Sequence, residues 1–170
     1  RPSRHMMFFR AILLIAALAL VPGCASKFKT YDGPEVTRVL VYKESRRMYL
    51  MHHDAVLRAY EIDLGFAPVG DKKVEGDGRT PEGDYLIDRR NPNSDFHLSL
   101  GINYPTNNDR EEARELGRGP GGDIFIHGGP RLGIDRSGPD WTAGCIALDD
   151  DDILEVYAAI PLHTLVKILP

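Results

Sequence analysis

The chain has 170 residues, with 25 acidic and 21 basic side chains and a formal net charge of −4. A chain of this length is expected to form one domain with a moderate hydrophobic core. The mildly acidic balance, without a basic stripe or cluster, argues against nucleic acid as a partner and favours solubility. The sequence contains no internal repeat, so a repeat architecture is excluded.

The first 23 residues have the pattern of an export signal. Three arginines lie within the first ten residues, and the apolar run Ala11–Val21 is too short to span a bilayer comfortably. Val21-Pro22-Gly23-Cys24 then resembles a bacterial lipobox, in which Cys24 receives lipid and becomes the mature N-terminus. Because Pro22 is unusual in a lipobox, an ordinary signal peptide is the alternative.

The predicted lipid on Cys24 sets the expected location and domain organisation. It places the protein in the cell envelope, anchored to a membrane on the periplasmic side. Ala25 follows Cys24 in place of the Asp that marks inner-membrane retention in some bacteria, so we expect the outer membrane. Residues 24–35 are expected to form a polar tether, and residues 36–170 the folded domain. With Cys24 lipidated, Cys145 has no disulfide partner, which favours a chemical role for its thiol.

Short segments of apolar, β-branched and aromatic residues predict seven strands along the domain. They are residues 38–42, 48–51, 55–64, 85–87, 96–100, 124–126 and 165–169. Arg89–Asn93 is predicted to be a turn between two of these strands. A first helix is predicted at 109–116, with Asn107 or Asn108 as its N-cap. A second, amphipathic helix is predicted to follow the acidic quartet Asp149–Asp152 and to end at Pro161, which completes a mainly β fold.

Two stretches rich in histidine or acid raise the question of a metal site. His52-His53-Asp54 lies at a predicted turn, and adjacent residues of a strand point to opposite faces, so no convergent ligand set is formed. Asp149–Asp152 lacks the alternating spacing of a calcium-binding loop and is better explained as stabilising the start of a helix. We therefore expect no metal ion and no other cofactor.

The most informative stretch runs from Ile124 to Leu148. A short apolar strand ends at His127, and a loop rich in Gly, Pro and Asp leads to Cys145, which follows Gly144. These residues suit a thiol–imidazole pair: the imidazole accepts the thiol proton, the sulfur attacks a carbonyl, and the imidazolium protonates the leaving group. Gly144 permits a tight turn that directs backbone N–H groups at a developing oxyanion. The alternative is a buried structural cysteine and a satisfied histidine.

This stretch resembles the catalytic signature of the L,D-transpeptidase (YkuD-type) family. His127-Gly128 matches the upstream His-Gly of that signature, and Thr142–Cys145 matches the Ser/Thr-x-Gly-Cys that follows after a loop. Gly76–Gly83 is similar to the family's Gly-Arg-Thr-Pro-x-Gly segment. The resemblance covers about residues 36–170 and implies an L,D-transpeptidase-like β-sandwich with two peripheral helices.

The resemblance also implies roles for individual residues. Cys145 would be the nucleophile, and His127 the general base and then the general acid. The carbonyl of Gly128 would orient the imidazole ring, and the N–H groups of Gly144 and Cys145 would form the oxyanion hole. Four further residues are candidates for substrate contact, namely Trp141, Thr142, Arg131 and Arg136. Core packing for Trp141, and a hydroxyl that holds the turn for Thr142, are equally consistent interpretations.

Two positions depart from the family pattern. Ala143 stands where many members carry a second His, which leaves the upstream His127 as the base. Ala147 stands where many members carry an Arg, two residues after the Cys. An Arg at that position would pair with a carboxylate of the stem peptide, and Arg131 or Arg136 are the candidates to replace it.

The resemblance implies acyl transfer on peptidoglycan stem peptides by an L,D-transpeptidase, which we expect to be a monomer and to be anchored through lipid on Cys24. Cys145 would attack a diaminopimelate carbonyl, expel D-Ala and pass the acyl group to an amine. With water as the acceptor, the same acyl-enzyme would make the protein a carboxypeptidase or an amidase. A non-catalytic peptidoglycan-binding lipoprotein is the third possibility: Ala147 favours it, and the presence of both His127 and Cys145 counts against it.

Overall fold

The computed structural model describes residues 26–170, so the predicted signal segment and Cys24 lie outside the described residues. Within this part of the chain, no helix is both long enough and apolar enough to cross a membrane. The same residues form eight strands and two helices. The strands are β1 (Arg38–Tyr42), β2 (Arg47–His52), β3 (Ala55–Glu61), β4 (Gly83–Asn91), β5 (Ser99–Ile102), β6 (Phe125–His127), β7 (Ile146–Ala147) and β8 (Leu165–Leu169). The helices are α1 (Asn107–Glu115) and α2 (Asp150–Ala159).

All eight strands belong to one sheet, in the order β3-β2-β1-β8-β4-β5-β6-β7. The pairs β1–β8 and β6–β7 are parallel, and the other neighbours are antiparallel. The sheet curls until the segment after β3 meets the opposite edge, where Asp63 pairs with Ala147. The predicted mainly β fold with two helices is confirmed, and the two expected layers are the two halves of this single curled sheet.

Strand β4 is the corner at which the two halves meet. Its first half, Gly83–Leu86, pairs with β8, and its second half pairs with β5 after an irregularity between Ile87 and Arg89. An irregular register of this kind bends a strand and lets it pass from one layer to the next. The predicted turn at Arg89–Asn93 was therefore wrong in its first three residues, which continue the strand.

The core lies inside the curl, because alternate residues of the strands point inward. The inward residues of β1 and β8, Val39, Val41, Val166 and Ile168, are at most 1% exposed. Helix α2 closes the same core, and the residues predicted at helical spacing are buried: Ile153, Val156, Tyr157 and Ile160. The curled sheet and this helix together form the rigid frame that carries the site described below.

Several local features differ from the predicted elements: β5 begins at Ser99 rather than at residue 96, and β3 ends at Glu61 rather than at residue 64. The N-cap of α1 is Thr106, not Asn107 or Asn108, and it forms a capping box with Asp109. Residues 26–35 contain no helix or strand, as expected for a tether, but they contact the domain: Lys27 donates to the carbonyl of His97 at 3.3 Å. The first described residues therefore lie beside the loop that precedes β5.

Candidate active site

His127 and Cys145 lie on neighbouring strands and open into one cleft. His127 is the last residue of β6, and Cys145 immediately precedes β7, which pairs with β6 in parallel. Ile126 is opposite Ile146 and points into the core, so His127 is placed on the other face of this strand pair. A cleft of about 290 Å³ is lined by both His127 and Cys145. The structure thus brings together the two residues that the sequence predicted to act together.

The thiol of Cys145 is half-buried and held by the backbone of the segment before β6. The N–H of Phe125 donates to its Sγ at 3.4 Å, and the S–H group donates to the carbonyl of Asp123 at 3.5 Å. Burial raises the pKa of Cys145 to about 11, although the Phe125 N–H acts in the opposite direction. The resting thiol is therefore protonated at neutral pH.

The imidazole of His127 is 3% exposed, and its burial lowers its pKa. Its Nδ1 lies 2.6 Å from the carbonyl of Gly128, the contact that the resemblance implied. A carbonyl only accepts hydrogen bonds, so Nδ1 carries the proton and Nε2 is left as a proton acceptor. The pair in the resting protein is thus a neutral thiol and a neutral imidazole, rather than a preformed thiolate–imidazolium pair.

We expect this neutral pair to be visible in the alkylation of Cys145 by iodoacetamide. Because only the thiolate reacts, the rate should be low at pH 7 and rise about tenfold per pH unit, still increasing above about pH 9. The measurement is the alkylated mass against time in a Cys24→Ser background, where Cys145 is the only thiol. A rate that levels off below pH 7 would contradict a protonated resting thiol.

The turn before Cys145 is held by the hydroxyl of Thr142. This hydroxyl accepts the N–H of Gly144 at 3.1 Å and donates to the carbonyl of Cys145 at 2.8 Å. Of the two N–H groups predicted to form an oxyanion hole, that of Gly144 is thus engaged in the turn. The N–H of Cys145 has no acceptor among residues 26–170 and is the donor available to a ligand.

Replacing Thr142 by Val should loosen this turn and lower the free energy of unfolding by about 2 kcal/mol, because two buried backbone groups lose their partner. Thr142→Ser keeps the hydroxyl and should stay within about 1 kcal/mol of the native protein. Urea denaturation measures both changes. If the Ser and Val variants were equally destabilised, the hydroxyl would not be what holds the turn.

The glycine-rich segment of residues 76–82, which precedes β4, packs against this turn. A Cβ on Gly65 would lie 2.1 Å from the carbonyl oxygen of Gly78, and one on Gly144 would lie 2.7 Å from that of Arg79. Gly144 also has φ +140°, a conformation that side chains rarely adopt. The fully buried Thr80 accepts the N–H of Gly65 at 3.1 Å. Three backbone segments therefore pack directly against one another beneath Cys145.

Two aromatic rings enclose the imidazole, and sequence reasoning found only one of them. Trp141 is 7% exposed and meets the ring of His127 edge-on, with 5.6 Å between centroids. Phe96 stacks on the same imidazole with 4.4 Å between centroids and 30° between planes. Phe96 lies 31 positions before His127, so no local pattern in the sequence points to this contact.

The two loop arginines are engaged within the protein. Arg131 pairs with Asp135, with Nη2 2.8 Å from Oδ1, and Arg136 lies over the ring of Phe66 at 5.4 Å. Ala147 is buried opposite His127, where the family pattern has an Arg in many members. Direct substrate contacts by Arg131, Arg136, Trp141 and Thr142 stay predictions.

Comparison with known proteins gives an independent view of the same chain. Residues 36–168 match the family model described as the L,D-transpeptidase catalytic domain, YkuD. No curated protein gives a significant match.

Among solved structures, the helical cell shape determining protein Pgp2 from Campylobacter jejuni is similar, with 27% identity and a TM-score of 0.59 over 86% of this chain and 51% of that chain. Bd1075 from Bdellovibrio bacteriovorus is 22% identical, with a TM-score of 0.58 over 84% of this chain and 50% of that one. An L,D-transpeptidase from Mycobacterium smegmatis shares the fold at 12% identity, with a TM-score of 0.53 over 79% and 59%. The chain thus spans about half the length of Pgp2 and Bd1075. By its sequence match and its fold, the chain belongs to the L,D-transpeptidase catalytic domain (YkuD) family.

Proposed function

We propose that this protein is a cysteine-dependent L,D-transpeptidase that acts on peptidoglycan stem peptides. The observation that carries the proposal is the single cleft that holds Cys145 beside His127, with the imidazole proton fixed on Nδ1 by Gly128. The membership in the L,D-transpeptidase family supplies the substrate class. The structurally similar LdtMt1, in complex with imipenem, suggests a probe for the nucleophile.

The first half-reaction forms a thioester. Nε2 of His127 takes the thiol proton while Sγ of Cys145 attacks the carbonyl of a diaminopimelate residue in a tetrapeptide stem. The backbone N–H of Cys145 donates to the oxyanion that develops on that carbonyl. The peptide C–N bond then breaks, and the imidazolium gives its proton to the departing amine of D-Ala.

The second half-reaction regenerates the thiol. An acceptor amine attacks the thioester carbonyl and transfers a proton to Nε2 of His127. The C–S bond breaks, the sulfur takes that proton back, and a new amide bond joins the acyl group to the acceptor. Since thiol and imidazole are both neutral at rest, the thiol must lose its proton to Nε2 of His127 in the course of the reaction.

Hydrolysis is the second candidate, with water in place of the acceptor amine. The observation that favours it is Ala147, which leaves the strand position opposite His127 without a charged side chain. An enzyme that does not hold a charged acceptor would release the acyl group to water and act as a carboxypeptidase or amidase. The first half-reaction is the same, so the products decide between the two.

The test incubates the detergent-solubilised full chain with peptidoglycan rich in tetrapeptide stems and identifies the released muropeptides by mass spectrometry. Direct diaminopimelate–diaminopimelate links would establish the transpeptidase, and tripeptides without new links, or released attached protein, would establish the hydrolase. His53→Asn is the matched control for His127 variants, because His53 is exposed in a turn with φ 51°, a conformation that Asn tolerates. If the wild type gave no products beyond those seen with Cys145→Ala and His127→Ala, both enzymatic functions would be excluded and a non-catalytic peptidoglycan-binding role would remain.

We propose in addition that Cys24 carries lipid and that the protein is a monomer on the periplasmic side of the outer membrane. The lipobox-like tetrapeptide Val21-Pro22-Gly23-Cys24 supports the anchor. Radiolabelled palmitate should label the wild type in the membrane fraction and should not label Cys24→Ala.

Pgp2 is named for helical cell shape, and we expect that deletion of this protein also alters cell shape in its host.

A further inference from the structure

The ring of Phe96 contacts both the imidazole of His127 and the guanidinium of Arg131. Its centroid is 4.4 Å from that of the imidazole, and Cζ of Arg131 is 4.4 Å from the same phenyl centroid. The backbone of Phe96 also holds this region, because its carbonyl accepts the N–H of Gly128 at 3.0 Å. One residue thus contacts the imidazole through its ring and the backbone beside the imidazole through its carbonyl.

Arg131 belongs to the exposed loop of residues 130–139, and this loop has few other attachments near its tip. The largest apolar side chains of the tip, Leu132 and Ile134, are 94% and 72% exposed. Arg131 is fixed in its conformation by Asp135, which accepts its backbone N–H at 2.7 Å and its Nε at 3.0 Å. The stack of Arg131 on Phe96 therefore joins this loop to a ring that packs on the imidazole of His127.

The loop also carries two opposite charges that act electrostatically on the imidazole. Asp135 raises the pKa of His127 and Arg131 lowers it, while burial is the largest influence and also lowers it. On the α2 side, Asp150 accepts the N–H of Gly129 at 2.9 Å and is the nearest acidic neighbour of that backbone. The net effect of Arg131 and Asp135 on the pKa of His127 therefore changes whenever the loop moves relative to Phe96.

We propose that Phe96 is a positioning residue for His127, and that its ring also holds the Arg131–Asp135 turn where the two charges act on the imidazole, so that the loop of residues 130–139 controls the catalytic base. This inference rests on the proposed function in one respect, namely that His127 is the catalytic base. The effect of the loop on the imidazole can be measured without substrate. A substrate that draws Arg131 away from Phe96 would release the ring that packs against His127. Substrate binding at Arg131 and the position of the His127 imidazole are thereby coupled.

The first test uses reciprocal charge changes and follows the ring of His127 by NMR titration in the full chain. Arg131→Gln leaves Asp135 unpaired and should raise the pKa of His127. Asp135→Asn leaves Arg131 unpaired and should lower it, and the double variant should return towards the wild type. Arg136→Gln, in the same loop but over Phe66, should change nothing. Shifts in the same direction in both single variants would mean that the loop merely packs against the base, and would overturn the proposal.

The second test separates positioning from folding by kinetics. Phe96→Leu should lower kcat about tenfold with KM changed less than about twofold, because the base is misaligned while the rest of the cleft is intact. Phe96→Tyr keeps an aromatic ring in the stack and should restore kcat to within about threefold of the wild type. Phe66→Leu is the matched control and should behave as the wild type. Equal losses in the Leu and Tyr variants, or in Phe66→Leu, would contradict a specific role for the Phe96 ring.

The two tests keep this proposal distinct from the proposed function. The titration requires no substrate, so reciprocal shifts of His127 would support the coupling even if the protein proved to have no acyl-transfer activity. Conversely, transpeptidase products with no reciprocal shifts would leave the proposed function intact and overturn the coupling.

Discussion

Replacing Cys145 by Ala is expected to end thioester formation and to lower the rate of acyl transfer by at least about a thousandfold. The cleft contains no second thiol among the described residues, so no other side chain can form the same intermediate. His127→Gln should cause a loss of similar size, because the resting thiol is protonated and requires a base to react. The double variant should be no slower than the slower single variant, since the two residues act as one unit.

Two measurements check this expectation. Single-turnover reaction with a tetrapeptide stem gives the rate, and intact mass after incubation with imipenem reports a covalent adduct on Cys145. His53→Asn, which changes an exposed side chain in a turn away from the cleft, is the control and should retain activity within about threefold. An imipenem adduct that persists in Cys145→Ala would place the nucleophile elsewhere and would exclude the proposed mechanism.

The sequence predicted best those elements whose residues alternate or repeat clearly between polar and apolar. Strands β1 and β8 were predicted with the bounds that they have in the structure. Four apolar positions were predicted from helical spacing, three within α2 and one at its C-cap, Ile160, and all four are buried. In these segments the local pattern and the tertiary environment require the same structure, so the pattern alone was sufficient.

Other elements depend on partners that the local sequence does not reveal. β7 has only two residues, and it exists because Ile146 and Ala147 pair with β6 on one side and Ala147 with Asp63 on the other. Arg90 was assigned to the turn predicted at Arg89–Asn93, yet it extends β4. Its guanidinium lies 4.1 Å from the ring centroid of Tyr157, near the end of α2. A long charged side chain can serve a packed strand in this way when it reaches a helix end.

At the candidate site, the sequence predicted that His127 and Cys145 act together, and the structure shows the surroundings and protonation of each. The pairing of His127 with Cys145 followed from a strand, a loop and a recognisable signature. The protonated thiol did not, because the pKa of Cys145 is set by burial that only the folded chain creates. Phe96 was missed for the same reason, since its contact with His127 joins residues that are distant in sequence.

The close packing of Gly65 beneath Cys145 predicts a second variant with a large effect, on both stability and activity. Gly65→Ala should lower the free energy of unfolding by about 3 kcal/mol or more, because the added methyl group meets backbone rather than a flexible side chain. The Cβ would lie 2.1 Å from the carbonyl oxygen of Gly78 and 3.0 Å from Cα of Gly144, so neither neighbour can yield without moving the turn that carries Cys145. We therefore expect activity to fall by at least about tenfold even where the variant still folds.

Urea denaturation and single-turnover rates measure the two consequences, with Gly119→Ala as the matched control. A Cβ on Gly119 has no heavy atom within 4 Å, and its φ lies outside the positive range, so this variant should remain within about 0.5 kcal/mol of the wild type. If Gly65→Ala were as stable and as active as Gly119→Ala, the glycine-rich segment would not support the catalytic turn. If it were destabilised yet fully active, the segment would serve the fold alone, and the position of Cys145 would have to be fixed by Thr142 and the Phe125 backbone instead.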